Sequence, residues 1–392
     1  MRKVLIAGDN IITSLGFTTP ENISKLKSNT IGFHIRDNSA LSPVPIPLSL
    51  VDQSLLDDRF NDFIREYDTA LIPANFTRLE KMFLYSIHQA IKGINLDLTG
   101  KRSLLILSTT KGNIDLLEES NQYRFDKKRL YLWEMAEVIR QTYGFFNRPL
   151  IISNACISGV LGIGIGYRYL QSGLYDHAVV CGGDILSQFV ISGFQSFQSL
   201  SAEPCKPYDI ARNGLSLGEA CGTIVLTYDP EAVNGQKVMV EATSTSNDAN
   251  HISGPSRTGE ELNLAIRNAL GDANVAPEHV DFISAHGTAT LFNDEMEAKA
   301  FALAGLNGIP VNSFKGYWGH TLGAAGLIES VASIHSMLEN TLFRSAGFTE
   351  PGISEKLNII AEHYPATIRK CLKTASGFGG CNAALVFSKE EN

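Results

Sequence analysis

Cys156, His286 and His320 are the residues of this 392-residue chain whose types and settings could do covalent chemistry. Cys156 lies in Ser153-Asn154-Ala155-Cys156-Ile157-Ser158-Gly159, where the apolar run from Pro149 to Ile152 gives way to a glycine-rich apolar stretch ending near Gly173. That reads as strand, sharp turn and helix, with a thiol at the turn. A thiol there meets the positive end of the helix dipole and unpaired backbone N–H groups. Both favour the thiolate, the nucleophilic form, and so point to acyl transfer. The competing reading is a buried structural cysteine. His286 ends an apolar strand in Ala285-His286-Gly287-Thr288-Ala289-Thr290, and the carboxyl ends of strands in α/β sheets are where chemistry gathers. His320 stands in Lys315-Gly316-Tyr317-Trp318-Gly319-His320-Thr321-Leu322-Gly323-Ala324-Ala325-Gly326, just before a helix of small residues. Of the other histidines, only His251, followed by Ile252-Ser253-Gly254-Pro255, has a comparable setting.

The elements that must position these groups alternate along the chain. Strands are expected at Val4 to Ala7, Leu104 to Ser108, Ala178 to Cys181, Gly222 to Tyr228, Val238 to Thr245, Val280 to Ala285 and Ala383 to Phe387. Helices are expected after Gly16, over Leu79 to Gly93, Leu132 to Tyr143, Glu260 to Gly271, Asp294 to Ala304 and Gly323 to Leu338. Residues 34 to 75 show no clear period and read as an excursion over the surface. Strand–helix alternation argues an α/β fold with a largely parallel sheet. Each half holds a strand–turn–helix unit with a reactive residue, so a duplicated unit is expected, with halves at 1–230 and 231–392. The glycines after Cys156 cost about 1 kcal/mol each in helix propensity. They make sense in a buried helix closely approached by other backbone.

Composition narrows the class. The chain is 44% hydrophobic and 19% charged, with a net charge of −8, which argues against nucleic acid as the main partner. The six cysteines show no C-x-x-C spacing, so zinc and thioredoxin-like metal or redox sites are not expected, and no bound cofactor is read. No secretory leader and no membrane span are read, and reduced cysteines fit a cytoplasmic location.

Taken together, the motifs resemble the elongating β-ketoacyl-acyl-carrier-protein synthases, condensing enzymes of thiolase-like fold in fatty acid and aromatic or polyene polyketide synthesis. The cysteine elbow, A-H-G-T-x-T and K-x-x-x-G-H-x-x-G-A-A-G occur in the family order, and the likeness runs to Gly377-Phe378-Gly379-Gly380-Cys381-Asn382. It implies a duplicated αβαβα layered fold with mixed, largely parallel central sheets. It also implies a decarboxylative Claisen condensation of malonyl-carrier protein with an acyl chain held on Cys156. His286 and His320 match the two catalytic histidines. Lys315 and Glu329 match a supporting pair expected to orient His320, and Asp294 and Glu297 match the acidic residues after the first histidine motif, where they could also simply complement a helix dipole. Phe378 matches the residue that gates the acyl site and, with the backbone of Cys156, forms the oxyanion hole.

The resemblance further implies an acyl carrier protein as partner, with substrates on its phosphopantetheine, and a homodimer or a heterodimer with a related ketosynthase or chain-length subunit. Arg78 and Lys81 fall where the family places carrier contacts; Arg124, Lys127, Lys128 and Arg129 form a second basic cluster that reads equally as a solvated face. His251, Ser253 and Ser376 fall at the acyl and malonyl site. Asp9-Asn10 replaces the usual G-x-G, Ser376 stands where an aromatic residue is common, and Cys381 replaces Thr. These departures point to a specialised pathway such as aryl-polyene pigment synthesis. A coenzyme A-using starter synthase or thiolase, and a weakly active structural partner in a heterodimer, are the alternatives; the paired histidines and the intact cysteine argue against them.

Overall fold

A computed structural model describes residues 2–36, 41–95, 97–121, 124–249 and 254–390. An 11-stranded sheet runs through the molecule. Its strands in chain order are β1 (Val4–Ile12), β2 (Ser103–Ser108), β3 (Leu150–Ile152), β4 (His177–Asp184), β5 (Ala220–Thr227), β6 (Val238–Asn247), β7 (Phe282–Ser284), β8 (Pro310–Asn312), β9 (Asn358–Ile359), β10 (Lys370–Gly377) and β11 (Cys381–Lys389). The helices that bear on the site are α1 (Arg78–Ile91), α2 (Leu132–Tyr143), α3 (Ser158–Gln171), α4 (Gln188–Ser196), α5 (Glu260–Asp272), α6 (Leu291–Leu303) and α7 (Ala325–Glu339).

Strand order shows the duplication. Inward from one rim the order is β3-β2-β4-β5-β1, and inward from the other it is β9-β8-β7-β10-β11-β6. Apart from β9 the two series correspond strand for strand. β2 runs parallel to β3 and β4, and β7 runs parallel to β8 and β10. Each half then turns antiparallel, β4 to β5 to β1 and β10 to β11 to β6. A short antiparallel pairing of β1 with β6 joins the halves. The sheet is therefore mixed, with its parallel pairs on the flanks and its antiparallel pairs in the middle.

Helices α3 and α7 pack on each other and on strands of both halves, forming a central layer. Their contact needs glycine. A Cβ on Gly159 would lie 2.7 Å from the Leu327 nitrogen, and one on Gly326 would lie 2.4 Å from Val160 Cγ2. This close approach answers the propensity cost of the glycines. One outer face carries α1 and α2 over a cluster that includes Phe83, Leu105, Leu107 and Val179. The other carries α5 and α6 over Ile266, Ile283, Phe301 and Leu372.

Besides the short strands β8 and β9, which it does not read, the sequence reading departs from the structure in three places. Residues 34 to 75 contain a helix, Gln53–Tyr67, which buries Leu56, Phe60, Phe63 and Ile64 and is capped by the Asp52 side chain. Its spacing was present but masked by the charged and polar residues between those positions. Helix α4 and strand β10 also went unread. In β10 an apolar pattern is interrupted by Lys373, which nonetheless is fully buried.

Candidate active site

Four loops at strand ends converge. Cys156 follows β3, His286 follows β7, His320 follows β8 through the short helix Lys315–Trp318, and Phe378 follows β10. The Cys156 sulfur and one nitrogen of each imidazole lie within 4.8 Å of one another. The two rings meet edge to face at 5.2 Å between centroids. All three residues are buried, at the floor of a cavity of about 440 Å³ that is lined also by Phe194, Phe197, Thr288, Thr290, Ser376 and Phe378.

The cysteine elbow is held by strain and by a local hydrogen-bond ring. Ala155 takes a left-handed φ of 44°, uncommon for a residue with a Cβ. Ser158 Oγ accepts from Asn154 N at 2.8 Å and donates to Ala155 O at 2.7 Å. Cys156 thus stands just ahead of α3, as the turn reading requires. Its thiol, however, is not ionised at rest. Burial pushes it up to about 12, and the Lys315 ammonium and the Phe378 N–H only partly oppose that. Desolvation outweighs the helix N-terminus, contrary to the sequence expectation.

Both imidazoles are neutral, held well below the usual histidine value by burial and then by the nearby ammonium groups. Their tautomers follow from their partners. His320 Nδ1 accepts from Leu322 N at 3.2 Å, and Leu322 adopts φ 55° to bring that N–H round. His286 Nδ1 faces the Lys315 ammonium at 3.3 Å. With Nδ1 an acceptor in each, the proton sits on Nε2, and each ring is a single N–H donor.

The supporting residues act differently from their sequence reading. Lys315 reaches His286, not His320: Nζ donates to His286 O at 2.6 Å and to Glu329 Oε1 at 2.5 Å. His320 is fixed instead by backbone, with its N–H on Ser216 O at 2.7 Å and its carbonyl accepting from Gly218 N at 3.1 Å. Asp294 and Glu297 do not serve the helix dipole alone. Glu297 accepts from the N–H groups of His286 at 2.8 Å and Gly287 at 2.6 Å, and from Tyr208 OH at 3.0 Å. Asp294 accepts from Thr288 N at 3.0 Å and Tyr208 N at 2.7 Å, and burial pushes it up to about 7. Together they pin the loop that follows His286. Ser376 lines the cavity and donates to Asn382 Oδ1 at 2.8 Å. Phe378 packs against Phe194 and Phe197, with ring centroids 5.8 and 5.2 Å apart.

Other expected residues fall elsewhere. His251 and Ser253 lie outside the described residues. Arg78 and Lys81 are committed within the chain: Arg78 to Glu219, Gln53 and Val51 O, and Lys81 to Asp57 at 2.6 Å. Neither is a free surface cation awaiting an acidic partner. Of the second basic cluster, Arg129 pairs with the buried Glu80, while Arg124, Lys127 and Lys128 are exposed. The sequence reading missed Lys373, whose ammonium bonds Glu329 Oε2 at 2.6 Å. Its signal, one lysine inside an apolar strand, carries no motif of its own.

As ligand types, a thiol and two imidazoles would also suit zinc, and they are the one such group found among the described residues. The ammonium groups of Lys315 and Lys373 behind them oppose a further cation. No helix among the described residues is long and apolar enough to cross a membrane.

Comparison with known proteins agrees with this geometry. Residues 108–232 match the N-terminal domain of β-ketoacyl synthases and residues 237–349 match their C-terminal domain. A 3-oxoacyl-[acyl-carrier-protein] synthase homolog from Saccharomyces cerevisiae is 27% identical, over 100% of this chain and 99% of its own. The 3-oxoacyl-[acyl-carrier-protein] synthase 2 of Vibrio harveyi is 25% identical over 99% of each chain. Among solved structures, a ketosynthase in complex with its chain length factor from Xenorhabdus doucetiae superposes with a TM-score of 0.85 at 24% identity, covering 99% of this chain and 98% of that one. With both domain models in register and the thiol and two imidazoles gathered at one cavity floor, the chain belongs to the β-ketoacyl synthase family.

Proposed function

We propose that this protein is a β-ketoacyl-[acyl-carrier-protein] synthase that condenses malonyl-carrier protein with an acyl chain held on Cys156. The observation that carries this reading is the convergence of one thiol and one nitrogen from each of two imidazoles within 4.8 Å at a single cavity. In the first stage the Cys156 sulfur attacks the carbonyl of an acyl-carrier thioester. The new C–S bond forms as the old one breaks, and the thiol proton ends on the departing pantetheine sulfur. No net charge is left in the buried site. In the transition state the carbonyl oxygen gains negative charge, and the N–H groups of Cys156 and Phe378 donate to it in this reading. Each such donor is typically worth about 3 kcal/mol.

In the second stage malonyl-carrier protein loses carbon dioxide and its thioester oxygen becomes an enolate oxygen. His286 and His320 present one N–H each to that oxygen. The enolate carbon attacks the Cys156 thioester, the sulfur leaves as thiolate, and it takes one proton from solvent, which balances the negative charge that the malonyl carboxylate brought in. Both histidines must stay neutral at Nδ1 to hold their orientation, which burial and the neighbouring ammonium groups secure.

The carrier protein and either a second copy of this chain or a related subunit are the partners this reading calls for, in the cytoplasm, and Ser376 beside the Phe378 gate favours an aryl-polyene or similar unsaturated primer over a saturated medium chain. Incubation with a panel of acyl-carrier proteins, followed by intact-mass measurement, tests the reading. One acyl adduct per chain, absent in Cys156→Ala, is the expected result. A preference for acyl-coenzyme A over acyl-carrier donors would replace it with a starter synthase or thiolase, and a preference for saturated medium chains would sink the pigment assignment.

A further inference from the structure

We infer that Lys373, on the strand leading to Phe378, is a positioning residue for the malonyl stage: its ammonium completes a buried ion triad with Glu329 and Lys315, ties down the strand end that carries His286, and sets a second fixed ammonium behind the two imidazoles. The inference rests on the reading that His286 and His320 stabilise the enolate.

Burial lowers Lys373 from the ordinary lysine value and Glu329 opposes that; the hydrogen bonds argue for the ammonium. Lys373 is fully buried, opposite Ser284 in the register of β10 with β7. Its Nζ donates to Glu329 Oε2 at 2.6 Å and to the carbonyls of Ser284 and Ala285 at 3.2 Å each. Three acceptors and no donor surround it, so all three N–H bonds of an ammonium are used. A neutral amine would turn a lone pair onto one of those oxygens. Lys315 is placed alike, with Glu329 Oε1, His286 O and His286 Nδ1 as its acceptors. One carboxylate therefore holds two ammonium groups.

A buried charge costs stability, and an apolar side chain of similar size would usually serve the fold better. Here strand β10 has apolar neighbours at Cys371, Leu372 and Ala375, all fully buried. A second ammonium makes sense where negative charge arrives with the substrate: the malonyl carboxylate first, then the enolate. A fixed positive group in a water-poor site needs no reorganisation when that charge develops. The two carbonyls that Lys373 binds come immediately before His286, so the same ammonium sets the position of that ring.

The charged groups facing the imidazoles are Lys315 from the short helix, Lys373 from β10, Glu329 from α7, Glu297 and Asp294 from α6, Asp184 from the end of β4, and the Cys156 thiol. Lys315 and Lys373 are the cations among them, and both hold the imidazoles down. Removing Lys373 must raise the pH at which the rings gain a proton on Nδ1 and turn away.

The test uses Lys373→Met and Lys373→Gln in the full chain, with three readouts: acyl loading of Cys156, carbon dioxide release from malonyl-carrier protein, and the pH profile of that release. Loading should stay within about twofold of wild type, while kcat for carbon dioxide release falls about tenfold or more with KM changed less. The acid limb of the profile should move to higher pH. Lys373→Gln keeps an N–H toward Glu329 and carries the test if the Met variant does not accumulate folded. Unchanged release with an unmoved acid limb in either variant overturns the proposal. So does a parallel fall of loading and release, which marks a merely structural role. In the wild type alone, an acid limb at the ordinary histidine value near ~6.5 also overturns it. A wild-type enzyme that loads Cys156 but releases no carbon dioxide would instead overturn the functional reading.

Discussion

The half of the sheet that ends in Cys156 and the half that ends in the two histidines share one strand order but use it in opposite ways. Cys156 follows β3 and leads into α3; His320 follows β8 and leads into α7. In the strand register Thr109 and Thr110 after β2 stand where Ala285 and His286 stand after β7, while Asp184 ends β4 and Phe378 follows β10. In the first half these positions close on one another. Asp184 accepts from Thr109 Oγ1 at 2.7 Å and Thr110 N at 3.0 Å, and it also holds Gly323 N at 2.7 Å beside the His320 turn. Only the thiol is left to face the cavity. In the second half all three positions open toward it, and behind them lies a charged scaffold of Lys315, Lys373, Glu329, Asp294 and Glu297. A nucleophile that is neutral at rest needs little more than a strained elbow. Groups that must meet developing charge need buried partners to fix their tautomers and orientation.

If that division is right, the two stages can be cut apart. Cys156→Ala should abolish the acyl adduct outright, as read by intact mass, and leave carbon dioxide release from malonyl-carrier protein measurable, because every group for that step sits in the other half. Loss of both would break the comparison. The converse variants are His286→Ala and His320→Ala. Each should retain acyl loading and lose about 10²–10³ in carbon dioxide release, the usual effect of removing one oxyanion donor. The pair should differ in one respect. His286→Ala takes one of three acceptors from the Lys315 ammonium and should also lower the melting temperature, whereas His320, held by backbone, should cost less.

Glu329→Gln addresses the scaffold itself. It leaves two ammonium groups facing one another without a carboxylate, and breaking a buried ion pair in this way costs about 3–5 kcal/mol. Thermal unfolding should show it as the largest stability loss among these variants. Asp184→Asn, the comparable change in the first half, keeps the acceptor for Gly323 N and should cost less. Equal losses would mean that the two halves bear their polar networks alike.

The same contrast sets what could be read from the sequence. The elbow, both histidine motifs and the α/β alternation are carried by local patterns: small residues at turns, apolar runs at strands, periodic faces at α1, α2 and α5. They survive translation into structure almost residue for residue. The charged scaffold is not local. Lys373 lies 44 positions from Glu329 and 89 from Ser284, and in sequence it only spoils a strand pattern. For the same reason the Lys315–Glu329 pair was legible but its target was not, since nothing in the spacing says that the Lys315 ammonium turns back to His286. The thiol's charge state was misread because helix position is a sequence property and desolvation is not. The helix Gln53–Tyr67 was lost to polar residues that face solvent between its four buried positions.

Asp115 and Asp294 sharpen the comparison at its smallest scale. Both are carboxyls pushed up by burial, Asp115 to about 6 and Asp294 to about 7. Asp294 is ringed by backbone donors that the second half supplies. Asp115, in the first half, has an Oδ1 with no hydrogen-bond partner among the described residues. A carboxyl whose folded value is raised from 3.8 to about 6 holds its proton in the folded state while the unfolded chain has released it. Its contribution is therefore present below about pH 4 and lost as the pH climbs toward 6. Asp115→Asn removes this term and breaks no hydrogen bond of Oδ1. The variant should match wild type at pH 4 and melt on the order of a few degrees higher at pH 7. A variant that melts lower than wild type at pH 7 would show that the Asp115 carboxylate is held by a partner after all, and that the first half carries a buried charge site of its own.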